Sequence, residues 1–104
     1  MRMYDLIEKK RNGEALLEEE ICWLIRGFTD GQIPDYQMAA FLMAVYFQGM
    51  SDEETAVMTR EVAHSGEAAD LSAISGIKVD KHSTGGVGDK TTLIVAPMAA
   101  ALGV

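Results

Sequence analysis

Ile77-Lys78-Val79-Asp80-Lys81-His82-Ser83-Thr84-Gly85-Gly86-Val87-Gly88-Asp89-Lys90-Thr91-Thr92 is the stretch on which the fold reading turns. A short β-branched run leads into a glycine-rich turn, and the turn leads into the apolar run Leu93 to Val104. Strand, glycine turn and helix start together make the layout of an anion-binding loop. Glycines let the backbone turn tightly and aim its N–H groups inward. The helix that follows adds the positive end of its dipole. Lys81, Ser83 and Thr92 add side-chain donors of the kind that hold phosphate.

The loop matches neither common nucleotide fingerprint. A Walker A pattern starting at Gly85 needs glycine at position 90, where Lys90 stands. No G-x-G-x-x-G starts at Gly85 or Gly86. A free phosphate or a phosphorylated sugar is therefore the ligand class left open. Strand alternation sends Lys81 and Ser83 to one side, where they can share an anion, and His82 to the other. Asp89 is placed to cap the following helix.

Working back from the loop, Gly66–Gly76 reads as a linker, with small and polar residues and no aromatic. All seven aromatics lie at or before Phe47. Residues 1–65 read as a helical domain. The first helix covers about Met3–Arg11, with Met3, Leu6 and Ile7 on one face. The second covers about Glu18–Thr29, with Ile21, Leu24, Ile25 and Phe28 at helical spacing and three glutamates in its first turn. The third runs from Pro34, as a first-turn residue, to Gln48. Its run Met38–Phe47 is apolar throughout, which calls for cover on every side from a partner subunit or a further segment. Ser51-Asp52-Glu53-Glu54 reads as a capping box for a fourth helix to His64. Residues 77–104 read as the first strand–loop–helix of an α/β domain. The strand is Ile77–Asp80 and the helix Asp89–Leu102, kinked or interrupted at Pro97. One strand makes no sheet. The fold class is thus mainly α: a helical bundle followed by the start of a truncated α/β domain, as in the N-terminal piece of a longer protein.

Charge narrows the partners. The net charge is −7, against a phosphodiester backbone as partner. Residues 1–70 hold 14 acids and 6 bases, while residues 71–104 hold 2 acids and 3 bases. The loop therefore sits in the one segment that is not acidic, as suits a small anion. Cys22 is the sole cysteine, so no internal disulfide forms, and a reducing cytoplasm is expected. No apolar run reaches the roughly 20 residues that a membrane span needs.

Lys81-His82-Ser83-Thr84-Gly85-Gly86-Val87-Gly88-Asp89 resembles the phosphate-binding segment of the thymidine and pyrimidine-nucleoside phosphorylases, the Bacillus type above all. Gly31-Gln32-Ile33-Pro34-Asp35-Tyr36-Gln37-Met38 and Gly49-Met50-Ser51 are similar as well. The resemblance implies phosphorolysis of uridine, thymidine or deoxyuridine to the free base and (deoxy)ribose 1-phosphate. It implies a homodimer joined through the helical domain, and an active site between that domain and a large α/β domain. It implies a phosphate-binding set of Lys81, His82, Ser83 and Thr92, in which His82 is also the catalytic histidine that approaches the pyrimidine ring. It implies a potassium ion at Gly88 and Lys90, with Lys90 acting only through its carbonyl oxygen. Much of the implied site lies beyond Val104, so residues 1–104 alone are expected to be inactive.

Two other readings compete. Anthranilate-type phosphoribosyltransferases share the architecture and a similar loop, but the Lys81-His82-Ser83 triplet favours the phosphorylase. A non-catalytic helical dimerisation module is the reading without chemistry.

Overall fold

The computed structural model describes residues 1–82 and 89–104. They divide into two compact units, Met1–Ala68 and Ala69–Val104. The first holds α1 (Met3–Arg11), α2 (Glu18–Thr29), α3 (Asp35–Gln48) and α4 (Asp52–His64). Here α1 packs on α3, and α2 packs on α4.

The apolar spacing explains which faces meet. Met3 and Leu6 of α1, Ile21, Leu24 and Ile25 of α2, and Met38 and Phe41 of α3 are buried in one cluster with Leu16 and Ile33 from the connections. Phe28, expected on the same stripe, is exposed in the last turn of α2. The return from α2 to α3 depends on a close approach. The amides of Gln32 and Ile33 both donate to the Gly27 carbonyl, at 2.8 and 3.0 Å. A Cβ on Gly27 would come within 2.9 Å of the Ile33 side chain. Gly31 then turns the chain at φ +75°, a conformation glycine adopts without cost.

Local signals set the helix ends. Pro34 stands just before α3 in extended geometry, φ −72° and ψ 155°, one residue earlier than the first-turn place expected for it. The Ser51 capping box is formed: the Glu54 amide donates to Ser51 Oγ at 3.1 Å, and the Ser51 amide donates to the Glu54 carboxylate at 2.8 Å. At the start of α2 the Leu17 amide donates to the Glu20 carboxylate at 2.7 Å.

Glu54 does more than cap. It is buried, it also accepts from the Leu16 amide at 2.8 Å, and it pairs with the buried Lys10 ammonium at 2.7 Å. Lys10 in turn donates to the Gly49 carbonyl at 3.3 Å. One buried ion pair thus ties α1, the α1–α2 connection, the end of α3 and the start of α4. Burial pushes the Glu54 carboxyl up. Its hydrogen bonds to Lys10, Leu16 and Ser51 outweigh that and hold it below the ordinary carboxylate range.

α3 is covered on one side only. Met38, Phe41 and Ala44 are buried, while Tyr36, Met43, Tyr46 and Phe47 are exposed along another stripe. The Tyr46 and Phe47 rings meet edge to face, with centroids 5.5 Å apart.

The second unit corrects one expectation. Ile77–Asp80 forms no strand, and none occurs among the described residues. A strand is defined by ladder bonds to a neighbour, and no neighbouring strand stands among the described residues to supply them. Residues 69–82 are instead held by local bonds: the Ser72 amide to Asp70 at 3.0 Å, the Ile74 amide to the Leu71 carbonyl at 3.0 Å, and the Lys78 ammonium to the Ile74 carbonyl. A 3-10 turn, Asp89–Thr91, leads into α5 (Thr92–Ala101). α5 runs through Pro97 without the interruption expected there. A proline removes one intrahelical bond, and the flanking bonds of α5 carry the helix past it. No residue of α5 is buried; Leu93, Ile94 and Met98 are all exposed.

Candidate anion-binding site

Lys81 and Thr92 were read from the sequence as partners on one anion, and their side chains meet. The Lys81 ammonium donates to Thr92 Oγ1 at 2.8 Å and to Thr91 Oγ1 at 2.9 Å. The Lys81 backbone amide donates to the Asp80 carboxylate at 2.8 Å. That contact turns the Asp80 carboxylate to the main chain. Threonine hydroxyls leave the charge on the lysine undiminished, as an anion cradle requires. Beside the cluster lies a cavity of about 260 Å³, with Asp80, Lys81 and Thr92 at its polar side and Val79, Val95 and Ala96 among its apolar walls.

The other expected site residues divide. His82 follows directly in the chain and is exposed. Lys90 is exposed within the 3-10 turn. Ser83 and Gly88 lie outside the described residues, as do the loop glycines Gly85 and Gly86. Sequence reasoning missed Thr91. The signal was the tandem Thr91-Thr92 at a helix start, which offers two hydroxyls to one neighbouring cation.

Elsewhere the polar groups of the first unit serve structure. Arg60 pairs with Glu18 at 2.6 Å, Arg26 with Glu61 at 3.6 Å, and Lys9 with Glu20 at 2.7 Å. His64 Nδ1 lies 2.7 Å from the Arg60 carbonyl oxygen, as fits a cation or N–H donor in the last turn of a helix. Cys22 is half-buried; burial and the neighbouring Glu61 carboxylate push its thiol up, away from thiolate chemistry. Among the described residues no group of three or more His, Cys, Asp or Glu could hold a metal ion. None of their helices is long and apolar enough to cross a membrane.

Residues 4–66, which take in nearly all of α1 and the whole of α2–α4, match the model of the glycosyl transferase family, helical bundle domain. The chain belongs to this family. Beyond the family domain, similarity runs over all 104 residues and so takes in Lys81, Thr91 and Thr92. The chain is 62% identical to the pyrimidine-nucleoside phosphorylases of Geobacillus stearothermophilus and of Bacillus subtilis, and 60% identical to that of Staphylococcus haemolyticus. All of this chain is covered in each case, and 24% of each relative. The chain thus spans about a quarter of the length of the relatives it matches.

Proposed function

We propose that this chain carries the helical unit and the phosphate-holding segment of a pyrimidine-nucleoside phosphorylase. The supporting observation is the convergence of the Lys81 ammonium and the Thr92 hydroxyl, 2.8 Å apart, in the lining of a cavity of about 260 Å³. In the proposed reaction, orthophosphate attacks the anomeric carbon of uridine, thymidine or deoxyuridine. The glycosidic bond breaks, and its electron pair leaves with the base. The products are the free pyrimidine and (deoxy)ribose 1-phosphate. Lys81, Ser83 and Thr92 hold the phosphate in line. His82 donates to the base as negative charge grows on it, a contribution of typically about 10²–10⁴-fold.

A potassium ion at Gly88 and Lys90 belongs to the same reading. Lys90 is exposed, so its ammonium can stay in solvent while its carbonyl serves as a ligand. Gly88 lies outside the described residues. When bound, the ion would supply a fixed positive charge near the cradle. The reducing cytoplasm is the compartment that fits a lone thiol.

A second copy of the chain is the proposed cover for the exposed α3 stripe. Replacing Tyr46 and Phe47 together by aspartate is expected to weaken self-association more than tenfold in sedimentation, since buried aromatic anchors dominate such interfaces. A protein that is strictly monomeric at high concentration would count against the dimer.

The function is tested in the protein that carries residues 1–104 in its native reading frame. Incubated with uracil, it should accept ribose 1-phosphate and release orthophosphate. Reaction only with a pyrophosphorylated ribose, releasing pyrophosphate, would favour the phosphoribosyltransferase.

A further inference from the structure

Thr91 is the hydroxyl at the cradle to which the reading above gives no task. We propose that Thr91 is a positioning residue for phosphate. Its side chain holds the Lys81 ammonium beside Thr92, so that the third N–H of the lysine faces the anion. The inference rests on the phosphorylase reading and adds a residue to its phosphate subsite.

The geometry carries it in three steps. A lysine ammonium has three donors and no acceptor. Two of them go to Thr91 Oγ1 at 2.9 Å and Thr92 Oγ1 at 2.8 Å, which leaves one for a ligand. Both threonine oxygens accept from the ammonium, so each directs its own proton away from it. The cluster therefore presents the third N–H of Lys81 and the hydroxyl of Thr92, donors of the kind a phosphate oxygen accepts from.

Convergence of neighbouring side chains is not what a regular helix gives, because residues i and i+1 do not face each other. Here Thr91 closes the 3-10 turn and Thr92 opens α5. The change of helix type at this junction accompanies the aiming of two consecutive hydroxyls at one cation.

The choice of acceptor matters as well. A carboxylate in place of Thr91 would fix the lysine equally well and cancel its charge. Asp80 is the nearest acid in sequence, and it accepts from the Lys81 main chain. A hydroxyl orders the long lysine stem before phosphate arrives and leaves the charge available. Ordering a flexible side chain in advance removes part of the cost of binding.

The test is a double-mutant cycle read as binding of radiolabelled orthophosphate in equilibrium dialysis, with KM and kcat alongside, in the native-frame protein. Thr91→Val removes the hydroxyl at nearly constant shape. It is expected to weaken phosphate roughly tenfold, the scale of one hydrogen bond to a charged group, and to raise phosphate KM more than it lowers kcat. Thr91→Ser should restore binding to within about twofold of the parent, because it restores the acceptor. In a Lys81→Ala background Thr91→Val should add little, because two residues acting through one contact are not additive. An unchanged phosphate affinity in Thr91→Val overturns the inference. So does the same loss in both backgrounds, or a failure of serine to rescue; each would leave the phosphorylase reading standing. If Lys81→Ala itself binds phosphate as the parent does, the cradle reading falls, and Thr91's role falls with it.

Discussion

Lys81→Ala is expected to raise the phosphate requirement of the native-frame protein by roughly a hundredfold, while Lys81→Arg recovers only part of the loss. On the proposed reading the change removes a charge-assisted contact to the anion, worth about 1.5–3 kcal/mol by itself. It also strips the Thr91 and Thr92 hydroxyls of their shared donor. Arginine keeps the charge, but its planar fork does not reproduce a compact ammonium between two hydroxyls. Initial rates against phosphate concentration measure the effect. An unaltered phosphate dependence would mean that the lysine does not meet phosphate and that the cradle is only a turn.

The second large effect lies in the helical unit. Lys10→Met is expected to cost roughly 3–5 kcal/mol, because it leaves the Glu54 carboxylate buried without its cation. Against a domain stability of about 5–15 kcal/mol, that loss is readily seen in a urea midpoint. The pair Lys10→Met with Glu54→Gln should recover more than half of it. The glutamine brings no charge, and its carbonyl oxygen can still accept from the Leu16 or Ser51 amide. A double variant no better than the single one would contradict this account. The pH dependence has a definite sign. The Glu54 carboxyl sits below its ordinary value in the folded chain. Its contribution is therefore present above the unfolded carboxylate range and is lost as pH falls through the lower folded value. Wild type should lose stability there more steeply than the double variant.

Much of the first unit was legible because its signals are local. Glu18-Glu19-Glu20 and Gly31 bracket α2, and Ser51 with Glu54 starts α4. The unbroken apolar run of α3 announced a face in need of cover, and Tyr46 and Phe47 stand exposed on it. What escaped depends on distant partners. Lys10 is seven residues after Met3, on the buried face of α1, and reads as a solvated cation until Glu54 is brought to it from 44 positions away. Ile77–Asp80 has strand-like composition, but the ladder that would make it a strand must come from another segment. In the cradle, residue types pointed to Lys81 and Thr92. The tandem Thr91-Thr92 was the one local hint of Thr91; its convergence on Lys81 arises at the junction of a 3-10 turn with α5, which the sequence does not display. Ser83, Gly88 and the loop glycines lie outside the described residues.

The isolated residues 1–104 are expected to release no uracil from uridine and phosphate, because they span only 24% of each relative. The most direct measurement is therefore made on the native-frame protein: uracil formation from uridine while orthophosphate is titrated from zero. The rate should climb from near nothing to saturation, with one ribose 1-phosphate formed for each uracil. Uracil release that ignores phosphate, or that leaves free ribose as its product, would contradict the account at its root.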